Sequence, residues 1–422
     1  MMRFLTAGES HGQALVVIVE GFPAGIEIRL DEIEKELARR RIGFGRGPRM
    51  RIERDEVQIL SGVRHLSTLG SPIAIEIANS EWPKWEQEMS PGPGFPSKKL
   101  TAPRPGHADL SGMLKYGLDD ARDVLERASA RETAARVAAG TLAKKLLSLF
   151  GIQIISHVVV LGDVSVADLQ DQRTLPLPSD LEAIDASEVR CFYPEYRESM
   201  ILQIKAASKQ GDSLGGACQV IAYGVPVGLG SYVHWDRRLD GKIAQALMSI
   251  QAIKAVSIGS GVEVASRLGS QAHDPISIKA KQDRTTMQGN SHVGRNILGP
   301  SADRDLDTLD LSYKSGGFVR ASNLAGGIEG GISTGDPILA TLWMKPLATL
   351  NRPVLATVDL ETKQEALSFK ERTDVTAVPA MGVVAESMMA LTICEEMISK
   401  FGGDSLVEMK RNYDSYLKAI QL

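Results

Sequence analysis

Two histidines in glycine-containing turns are the residues best suited to acid–base chemistry. His11 lies in GESHG, residues 8–12, directly before a strongly apolar run. His107 lies in PRPGHADL, residues 103–110, close to an arginine and an aspartate. Imidazole gains or loses a proton near neutral pH, so it can act as a general acid or base. The alternative, which is commoner for a lone histidine, is a ring that only completes a local hydrogen bond.

Arginines could supply a second kind of chemistry, which is the binding of anions. The stretch RRRIGFGRGPRMR, residues 39–51, follows a predicted helix over 31–41 that uses its apolar positions for the core. The glycines between 43 and 47 predict a turn that folds these arginines toward one place. Guanidinium groups match carboxylates and phosphates in a two-pronged geometry. The alternative is a solvated basic surface or a nucleic-acid-binding arm.

A helix start also favours an anionic ligand. The stretch ERASARET predicts a helix over 129–150, with Ser129 and Glu132 as a capping box. The first N–H groups of such a helix attract an anion. Arg131 in the first turn is unfavourable with the helix dipole unless an anion binds there. The alternative is an ion pair between Arg131 and either Glu126 or Glu132.

A glycine-rich stretch followed by a lysine could contact a phosphate or the edge of a ring. The stretch NLAGGIEGGISTGDPI, residues 323–338, has repeated Gly-Gly steps that let backbone amides approach a ligand closely. The stretch MKPLATL, residues 344–350, follows it and brings Lys345. Neither stretch has the spacing of a P-loop or of a dinucleotide-binding fingerprint.

An aspartate before a second long helix is the remaining candidate. Asp374 follows Arg372 and precedes a predicted helix over 383–400, which Gly402 and Gly403 end. An aspartate at a helix entrance is more often a cap than a catalytic acid. No zinc-ligand spacing is present, and we expect neither metal-dependent nor serine hydrolysis. Arginines, two histidines and one aspartate suit a polyanionic small molecule together with a phosphorylated cofactor.

Composition narrows the class of protein. The chain has 422 residues, of which 43% are hydrophobic, so it can bury a large core. A net charge of −4 and 5% aromatic residues argue against a nucleic-acid partner. Three cysteines without CxxC spacing indicate buried thiols in a reducing compartment. A signal-peptide core and an uninterrupted apolar run of about 20 residues are both missing, which predicts a cytoplasmic protein without a membrane span.

The sequence contains a short internal repeat. Residues 8–25 and 211–228 align without gaps, so that Gly8 matches Gly211. Each copy predicts a tight glycine turn, an apolar strand and a Gly-x-Pro turn, and an amphipathic helix follows. We expect two related halves within a single unit over residues 1–422.

Shorter patterns predict the elements around these motifs. β-rich stretches occur at 14–19, 71–77, 153–161, 200–206, 217–223 and 336–344. The segment 81–106 is rich in Pro and Gly and predicts an irregular loop of the length that active-site lids have. Residues 268–300 are predicted to be irregular as well.

The motifs together resemble one family, the chorismate synthases. They occur in order along nearly the whole chain: GESHG, GFGRGPRM, RPGHADL, ERASARETAARVAAG, GDSLGG, ALMSIQAIKAVSIG, AGGIEGGISTG, KPLATL and RTDVTAVPAMGVVAES. The resemblance implies a lyase of aromatic amino-acid biosynthesis. Its substrate would be 5-enolpyruvylshikimate 3-phosphate, which loses phosphate and the C6 hydrogen in a 1,4-anti elimination that gives chorismate.

The resemblance also implies a cofactor, an assembly and a fold. The cofactor is reduced FMN, which is required although the reaction has no net redox change, and NADPH or an external flavin reductase could supply the reduced form. The assembly is a homotetramer. The fold is α+β, with two intertwined halves and helices sandwiched between outer, mostly antiparallel sheets.

Roles carry over onto matching positions. His11 resembles the residue that protonates the departing phosphate, His107 the one near the N1/O2 edge of the flavin, and Asp374 the aspartate near flavin N5. The substrate phosphate and carboxylates would be held by Arg40, Arg46, Arg49, Arg104 and Arg131, of which Arg40 and Arg46 are also linked to NADPH. Flavin contacts would come from Arg127, Ala128, Ser129, Gln251, Ala252, Gly330, Lys345, Pro346, Leu347, Ala348, Thr349 and Arg372.

Three positions depart from the pattern of the family. Thr373, Leu66 and Gln251 stand where other residues are usual.

Three other interpretations compete with the resemblance. A flavin-dependent dehydrogenase would need a dinucleotide fingerprint, which we do not find. A nucleic-acid-binding protein would use the arginines of 39–51. A catalytically dead relative would lack some of the site residues, whereas His11, His107 and Asp374 are all present.

Overall fold

The protein is described by a computed structural model that covers residues 2–47, 55–94, 96–97, 99–166, 175–278, 312–369 and 374–421. Two of the predicted site residues, Arg49 and Arg372, lie outside these described residues, and so do Thr373 and most of 268–300.

Antiparallel strands form the two main sheets. The described strands are β1 (Arg3–Ala7), β2 (Ala14–Glu20), β3 (Glu56–Ile59), β4 (Val63–Arg64), β5 (Ser67–Thr68), β6 (Ile73–Ala78), β7 (Gln153–Leu161), β8 (Val164–Ser165), β9 (Gly216–Tyr223), β10 (Ile253–Ile258), β11 (Ile276–Ile278), β12 (Phe318–Arg320), β13 (Ile328–Glu329), β14 (Ile332–Ser333), β15 (Ile338–Met344), β16 (Ala356–Val358) and β17 (Glu365–Leu367). A four-stranded sheet has the order β1-β2-β6-β3, and a five-stranded sheet has the order β10-β15-β9-β7-β8. Every pairing within both sheets is antiparallel.

Helices connect the strands and pack against both sheets. The described α-helices are α1 (Leu30–Arg41), α2 (Trp82–Trp85), α3 (Asp109–Tyr116), α4 (Arg122–Ala128), α5 (Thr133–Ser148), α6 (Leu181–Asp185), α7 (Pro194–Gln210), α8 (Leu239–Met248), α9 (Gly269–Ala272), α10 (Val378–Phe401) and α11 (Leu406–Ala419). α5 packs against β2 of the first sheet, and α10 packs against β7 and β9 of the second. α5 and α10 also pack against each other, and residues of both helices and of both sheets belong to the main hydrophobic core. The prediction of an α+β protein with antiparallel sheets is confirmed.

The crossing of α5 and α10 is unusually close. A Cβ atom added at Gly140 of α5 would lie 2.4 Å from the Cβ of Ser387 in α10, which is closer than real Cβ atoms come. Small residues such as Ala135, Ala138 and Ala139 continue the fully buried surface of α5. Only small side chains allow two helix backbones to approach this closely, so the composition of α5 sets the separation of the two helices.

α10 is the one helix among the described residues that is long and apolar enough to cross a membrane, by length and composition only. Of its most apolar window, 94% is buried inside the protein. It begins at Val378, earlier than the predicted 383, because Pro379 occupies its first turn, where the missing N–H of proline costs nothing. As predicted, it ends at Gly402.

A buried ion network ties α10 to α1. Glu386 of α10 accepts hydrogen bonds from Arg39, Lys144 and Arg190, with N–O distances of 2.7 to 3.1 Å. Burial alone would raise the pKa of Glu386, but the three cations hold it well below its usual range. Arg39 is also buried. This part of the arginine-rich stretch is therefore core, and not a solvated basic surface.

Three local predictions were wrong. Residues 200–206 lie inside α7 and not in a strand, because Met200, Ile204 and Ala207 are buried at helical spacing. Ser129 and Glu132 do not form a capping box: a 3₁₀ turn over Ala130–Glu132 comes first, and Ser129 Oγ accepts the N–H of Arg131 instead. The described part of 268–300 contains α9 and β11, so it is not irregular throughout.

The two copies of the internal repeat have strands in similar positions within their sheets, but the elements before these strands differ. Their strands, β2 and β9, are both interior strands with antiparallel neighbours on each side. Gly8 follows strand β1, whereas Gly211 ends helix α7 in a left-handed conformation. At Gly8 the φ angle is +103°, and a Cβ would lie 2.3 Å from the carbonyl oxygen of Ala14, so this turn requires glycine.

Candidate active site

One large cavity, of about 1210 Å³, lies among the loops at the ends of these elements. Its walls come from the β1–β2 turn, the C-terminal end of α1, the loop before α3, the segment from α4 to α5, the α8–β10 turn, the end of β15 and the N-terminal part of α10. Pockets for drug-sized ligands measure roughly 300–1,000 Å³, so this cavity has room for more than one such molecule.

Most of the predicted site residues meet at this cavity. The lining includes His11, Arg40, Arg46, Arg104, His107, Ala128, Ser129, Arg131, Gln251, Ala252, Lys345, Leu347, Ala348, Thr349 and Asp374. These residues come from positions throughout the chain, so their convergence is a property of the fold and not of any single motif.

Three of the predicted flavin contacts do not line the cavity in the part of the chain that the structure describes. Arg127 points toward β1 and donates hydrogen bonds to the carbonyl oxygens of Thr6 and Gly8, at 2.9 and 3.2 Å. Gly330 lies in the turn between β13 and β14. Pro346 lies between two lining residues without being one itself.

His11 is held by a buried carboxylate. Its Nδ1 lies 2.9 Å from Oε1 of Glu126, and its backbone N–H donates to Oε2 of the same side chain at 2.8 Å. The side chain of Glu126 is only 1% exposed. Burial alone would raise the pKa of Glu126, but its hydrogen bonds with His11 and the charges of His11 and Arg122 lower it. A carboxylate on Nδ1 favours the proton at that nitrogen, which leaves Nε2 as the position for proton exchange with a ligand.

An aromatic ring lies against the imidazole of His11. The ring centroids of His11 and Trp85 are 4.1 Å apart at an angle of 31°. Trp85 belongs to the predicted lid segment, and the guanidinium of Arg122 lies 5.0 Å from its ring centroid. Arg122 also donates to Glu126 at 3.1 Å. His11 is thus held between α4 and the loop that contains Trp85.

The turn that contains His11 is fixed at both ends. Asn79, just after β6, donates from its side-chain amide to the carbonyl oxygens of Ser10 and Gly12, at 3.1 and 2.9 Å. The hydroxyl of Ser129 donates to that of Ser10 at 3.1 Å. GESHG does read as Gly-x-Ser-x-Gly, the pattern of a serine-hydrolase elbow, but that motif needs a strand-to-helix turn. Here it joins two antiparallel strands, so serine hydrolysis is discounted on structural grounds.

His107 has a carboxylate partner of its own. Its Nδ1 contacts Asp109, and Arg104 donates to Asp109 Oδ2 at 2.8 Å, while NH2 of Arg104 lies 3.0 Å from His107 Nδ1. Burial would raise the pKa of Asp109, but hydrogen bonds from His107 and Arg104 lower it to about 2. Arg104 also donates to Thr349 at 2.9 Å, which joins this loop to the KPLATL segment.

Arg46 and Asp374 form a pair across the cavity wall. NH1 of Arg46 lies 2.7 Å from Oδ2 of Asp374, and the backbone N–H of Gly47 donates to Oδ1 at 2.6 Å. Both carboxylate oxygens are therefore engaged with the turn that follows α1. In this arrangement Asp374 orients Arg46, as well as lining the cavity itself.

Arg131 pairs with Asp55 and not with either partner that the sequence suggested. Glu126 binds His11, and Glu132 accepts hydrogen bonds from Thr6 and Arg136. The alternative of an ion pair with Glu126 or Glu132 is therefore wrong, since Arg131 pairs instead with Asp55 in the segment before β3.

Backbone strain marks another part of the wall. Ala252 has a φ angle of +67°, which is unfavourable for a residue with a Cβ. Its carbonyl oxygen accepts the N–H of Lys345 at 3.0 Å, so the α8–β10 turn is fixed to the end of β15. Beside it, the side-chain amide of Gln251 donates to Glu132 at 3.2 Å.

Sequence reasoning missed several side chains of this cavity, among them Trp85, Arg122, Lys84 and Lys254. It also considered Glu126 only as a partner for Arg131. The lysines and arginines of the wall outnumber its acidic groups, several of which are already paired with arginines. The cavity therefore favours a ligand with several negative charges.

Comparison with known proteins decides the family. The family model of chorismate synthase matches residues 2–398. A chorismate synthase of Thermobifida fusca is 50% identical over 430 residues, covering 100% of this chain and 99% of the relative. The corresponding protein of Mycobacterium avium is 49% identical over 429 residues, covering 100% of this chain and 97% of the relative.

The chain belongs to the chorismate synthase family. A crystal structure described as chorismate synthase agrees, with a TM-score of 0.73, 39% identity and coverage of 100% of this chain and 98% of the other. As a chorismate synthase, the protein is a lyase of the shikimate pathway and of aromatic biosynthesis. Its reaction is the conversion of 5-enolpyruvylshikimate 3-phosphate to chorismate, and the cavity of cationic walls and two histidines is the candidate place for it.

Proposed function

We propose that the protein carries out a 1,4-anti elimination of phosphate and of the C6 hydrogen in this cavity, with reduced FMN and without net redox change. The observation that carries the proposal is the placement of His11, which Glu126 holds by Nδ1 in the wall of a cavity rich in arginines. A positioned imidazole can supply the proton that a departing phosphate needs.

The arginines would offset the charges of the substrate, which has two carboxylates and a phosphate. Arg40, Arg46, Arg104 and Arg131 come from three sides of the cavity. The ion partners Asp374, Asp109 and Asp55 fix the guanidinium groups of Arg46, Arg104 and Arg131 before a ligand arrives. Preorganised cations stabilise a leaving anion without a reorganisation cost at the moment of reaction.

The residues of the cavity fit a flavin mononucleotide. The cavity volume of about 1210 Å³ exceeds what the substrate alone would need. We assign the flavin to the part of the wall formed by Ala128, Ser129, Gln251, Ala252 and the segment from Lys345 to Thr349. Reduced FMN would supply the electron density that the elimination requires.

The two histidines would have different tasks. His11 would donate the Nε2 proton to the leaving phosphate while Glu126 keeps Nδ1 protonated. His107, held by Asp109 and Arg104, would keep the cofactor in its proper protonation state. Asp374 would assist removal of the C6 proton, and its pairing with Arg46 would also place that arginine for NADPH or for the substrate.

The loop around Trp85 would cover the site. Its contact with His11 gives the loop a fixed position over one side of the cavity. A covered site excludes water and also oxygen, which would oxidise a reduced flavin.

We further propose that residues 1–422 form one unit with two related halves, in which α5 and α10 are sandwiched between the outer sheets. We expect a homotetramer in the cytoplasm, with NADPH or an external reductase as the source of reduced FMN. The similar interior positions of β2 and β9 support the two-halves proposal.

An anaerobic assay with chemically reduced FMN and the substrate tests the proposed function. We expect chorismate and phosphate in equal amounts, and no product with oxidised FMN alone. Adding NADPH with oxidised FMN shows whether the chain reduces its own flavin.

His11→Ala should lower kcat strongly while FMN still binds, and unchanged turnover would overturn the assignment of His11.

A further inference from the structure

Glu126 makes three separate connections to the turn of His11. Its carboxylate contacts the imidazole Nδ1 at 2.9 and 3.1 Å, and it accepts the backbone N–H of the same residue at 2.8 Å. Its carbonyl oxygen accepts the N–H of Ser10 at 3.0 Å. One residue of α4 therefore fixes both the backbone and the ring of His11.

The surroundings of this carboxylate keep it charged. Arg122 lies one helical turn earlier and donates to Oε1 at 3.1 Å, and Glu88 lies 4.0 Å from the same guanidinium. Trp85 lies against the imidazole, with the two ring centroids 4.1 Å apart. The charged groups around this carboxylate thus include Arg122 of α4 and, beyond it, Glu88 from the loop that follows α2.

We propose that Glu126 is a positioning residue of the elimination, which holds His11 in the one tautomer and orientation that can protonate the leaving phosphate. This inference rests on the proposed role of His11. An ionised carboxylate on Nδ1 stabilises the imidazolium before the transfer and retains the Nδ1–H afterwards, as the orienting carboxylate of a catalytic triad does.

The balance of the step follows from this geometry. The Nε2–H bond of the imidazolium breaks, and its proton forms an O–H bond on the departing phosphate. The substrate C–O bond breaks with its electron pair going to that oxygen. The imidazole ends neutral with its remaining proton on Nδ1, facing Glu126, whose own protonation does not change.

Glu126→Gln tests the proposal because it keeps the size and one accepting oxygen but removes the charge. We expect kcat to fall between about 10- and 100-fold, which is within what a general acid contributes. FMN affinity and substrate KM should stay within about 3-fold of the wild-type values. Glu396→Gln is the matched control: Glu396 is a similarly buried carboxylate that binds Lys242 and the N–H of Gly230 away from the cavity.

The double variant separates positioning from a structural role. In a His11→Ala background, Glu126→Gln should change kcat by less than about 2-fold, because the residue that it positions has gone. An equal loss in both backgrounds would overturn the proposal, and so would wild-type kcat in Glu126→Gln alone. If His11→Ala itself has no effect, the proposed function of His11 fails instead, which is a distinct result.

Nitrogen-15 spectra of histidine-labelled protein give a readout that does not depend on turnover. The signals of His11, assigned by their loss in His11→Ala, should indicate a protonated Nδ1 in the wild type. In Glu126→Gln the neutral ring should shift toward a mixture of tautomers. Identical His11 signals in both proteins would contradict the proposal.

Discussion

Arg46 and Asp374 join two parts of the chain that are far apart in sequence, through an ion pair of 2.7 Å in the wall of the cavity. The guanidinium comes from the turn after α1, and the carboxylate lies just before α10. Because the backbone N–H of Gly47 donates to the second oxygen of Asp374, the turn after α1 is fixed to the segment before α10.

This pair predicts strongly non-additive effects. We expect Arg46→Ala and Asp374→Ala each to raise substrate KM and lower kcat/KM by at least 10-fold, because each variant removes the ion pair that orients the other side chain. The double variant should be little worse than the worse single variant. Steady-state kinetics of the four proteins measure the coupling, and additive losses would show that the two groups act separately.

Trp85 predicts a link between the covering loop and His11. We expect Trp85→Ala to lower kcat by about 10-fold and to speed the oxidation of enzyme-bound reduced FMN by air, since it removes the ring beside His11. Trp85→Phe should retain most of the activity. Trp82→Ala is the control, because Trp82 belongs to the same short helix but does not line the cavity. Equal effects at both tryptophans would point to loss of the loop as a whole.

The lowered pKa of Asp109, about 2, predicts a dependence of stability on pH. A depressed folded-state pKa stabilises the protein above the unfolded value of about 4, and this stabilisation is lost as the pH falls toward 2. At pH 7 we expect Asp109→Asn to lower the free energy of unfolding by roughly 2 kcal/mol.

Urea unfolding of the wild type and Asp109→Asn at several pH values checks this prediction. The difference between the two proteins should be constant from pH 7 to about 5 and should shrink below about pH 4. Asp119→Asn, which removes an exposed carboxylate, is the control and should stay close to the wild type. A difference that grows on acidification would contradict the assigned cause.

Gly140 predicts a steric effect in the core. Gly140→Ala should destabilise the protein by about 1–3 kcal/mol, because the added methyl group overlaps Ser387. Gly241→Ala in α8 is the matched control, since its nearest atom is 4.0 Å away. That variant should be neutral or stabilised by about 0.5–1 kcal/mol. Thermal unfolding compares the two, and equal stability changes would contradict the close crossing.

Local patterns predicted the elements that are regular and strongly apolar. β7 has the predicted bounds, and β2, β9, β15 and α10 differ from their predicted bounds only near their ends. The segment 200–206 was wrongly predicted as a strand because four apolar residues in a short run fit a strand as well as a helix. Burial at helical spacing, which only the folded chain reveals, decides for α7.

The candidate site was predicted where a motif carries its own chemistry, as at His11 and His107. Its partners were harder to predict because they act through space: Glu126 is 115 positions from His11, and Trp85 comes from a loop without regular pattern. Asp109 was an exception, since it lies two positions after His107 and the sequence alone put the pair together.

The close crossing of α5 and α10 links the stability of the core to the geometry of the cavity. Both helices begin near the cavity, α5 after the turn of Ser129 and Arg131, and α10 after Asp374. The contact at Gly140 fixes the position of α5 relative to α10, and with it the relative positions of Thr133 and Val384, which line the cavity. A substitution that separates the two helices is therefore expected to lower the stability of the protein and also to disturb the geometry of the candidate active site.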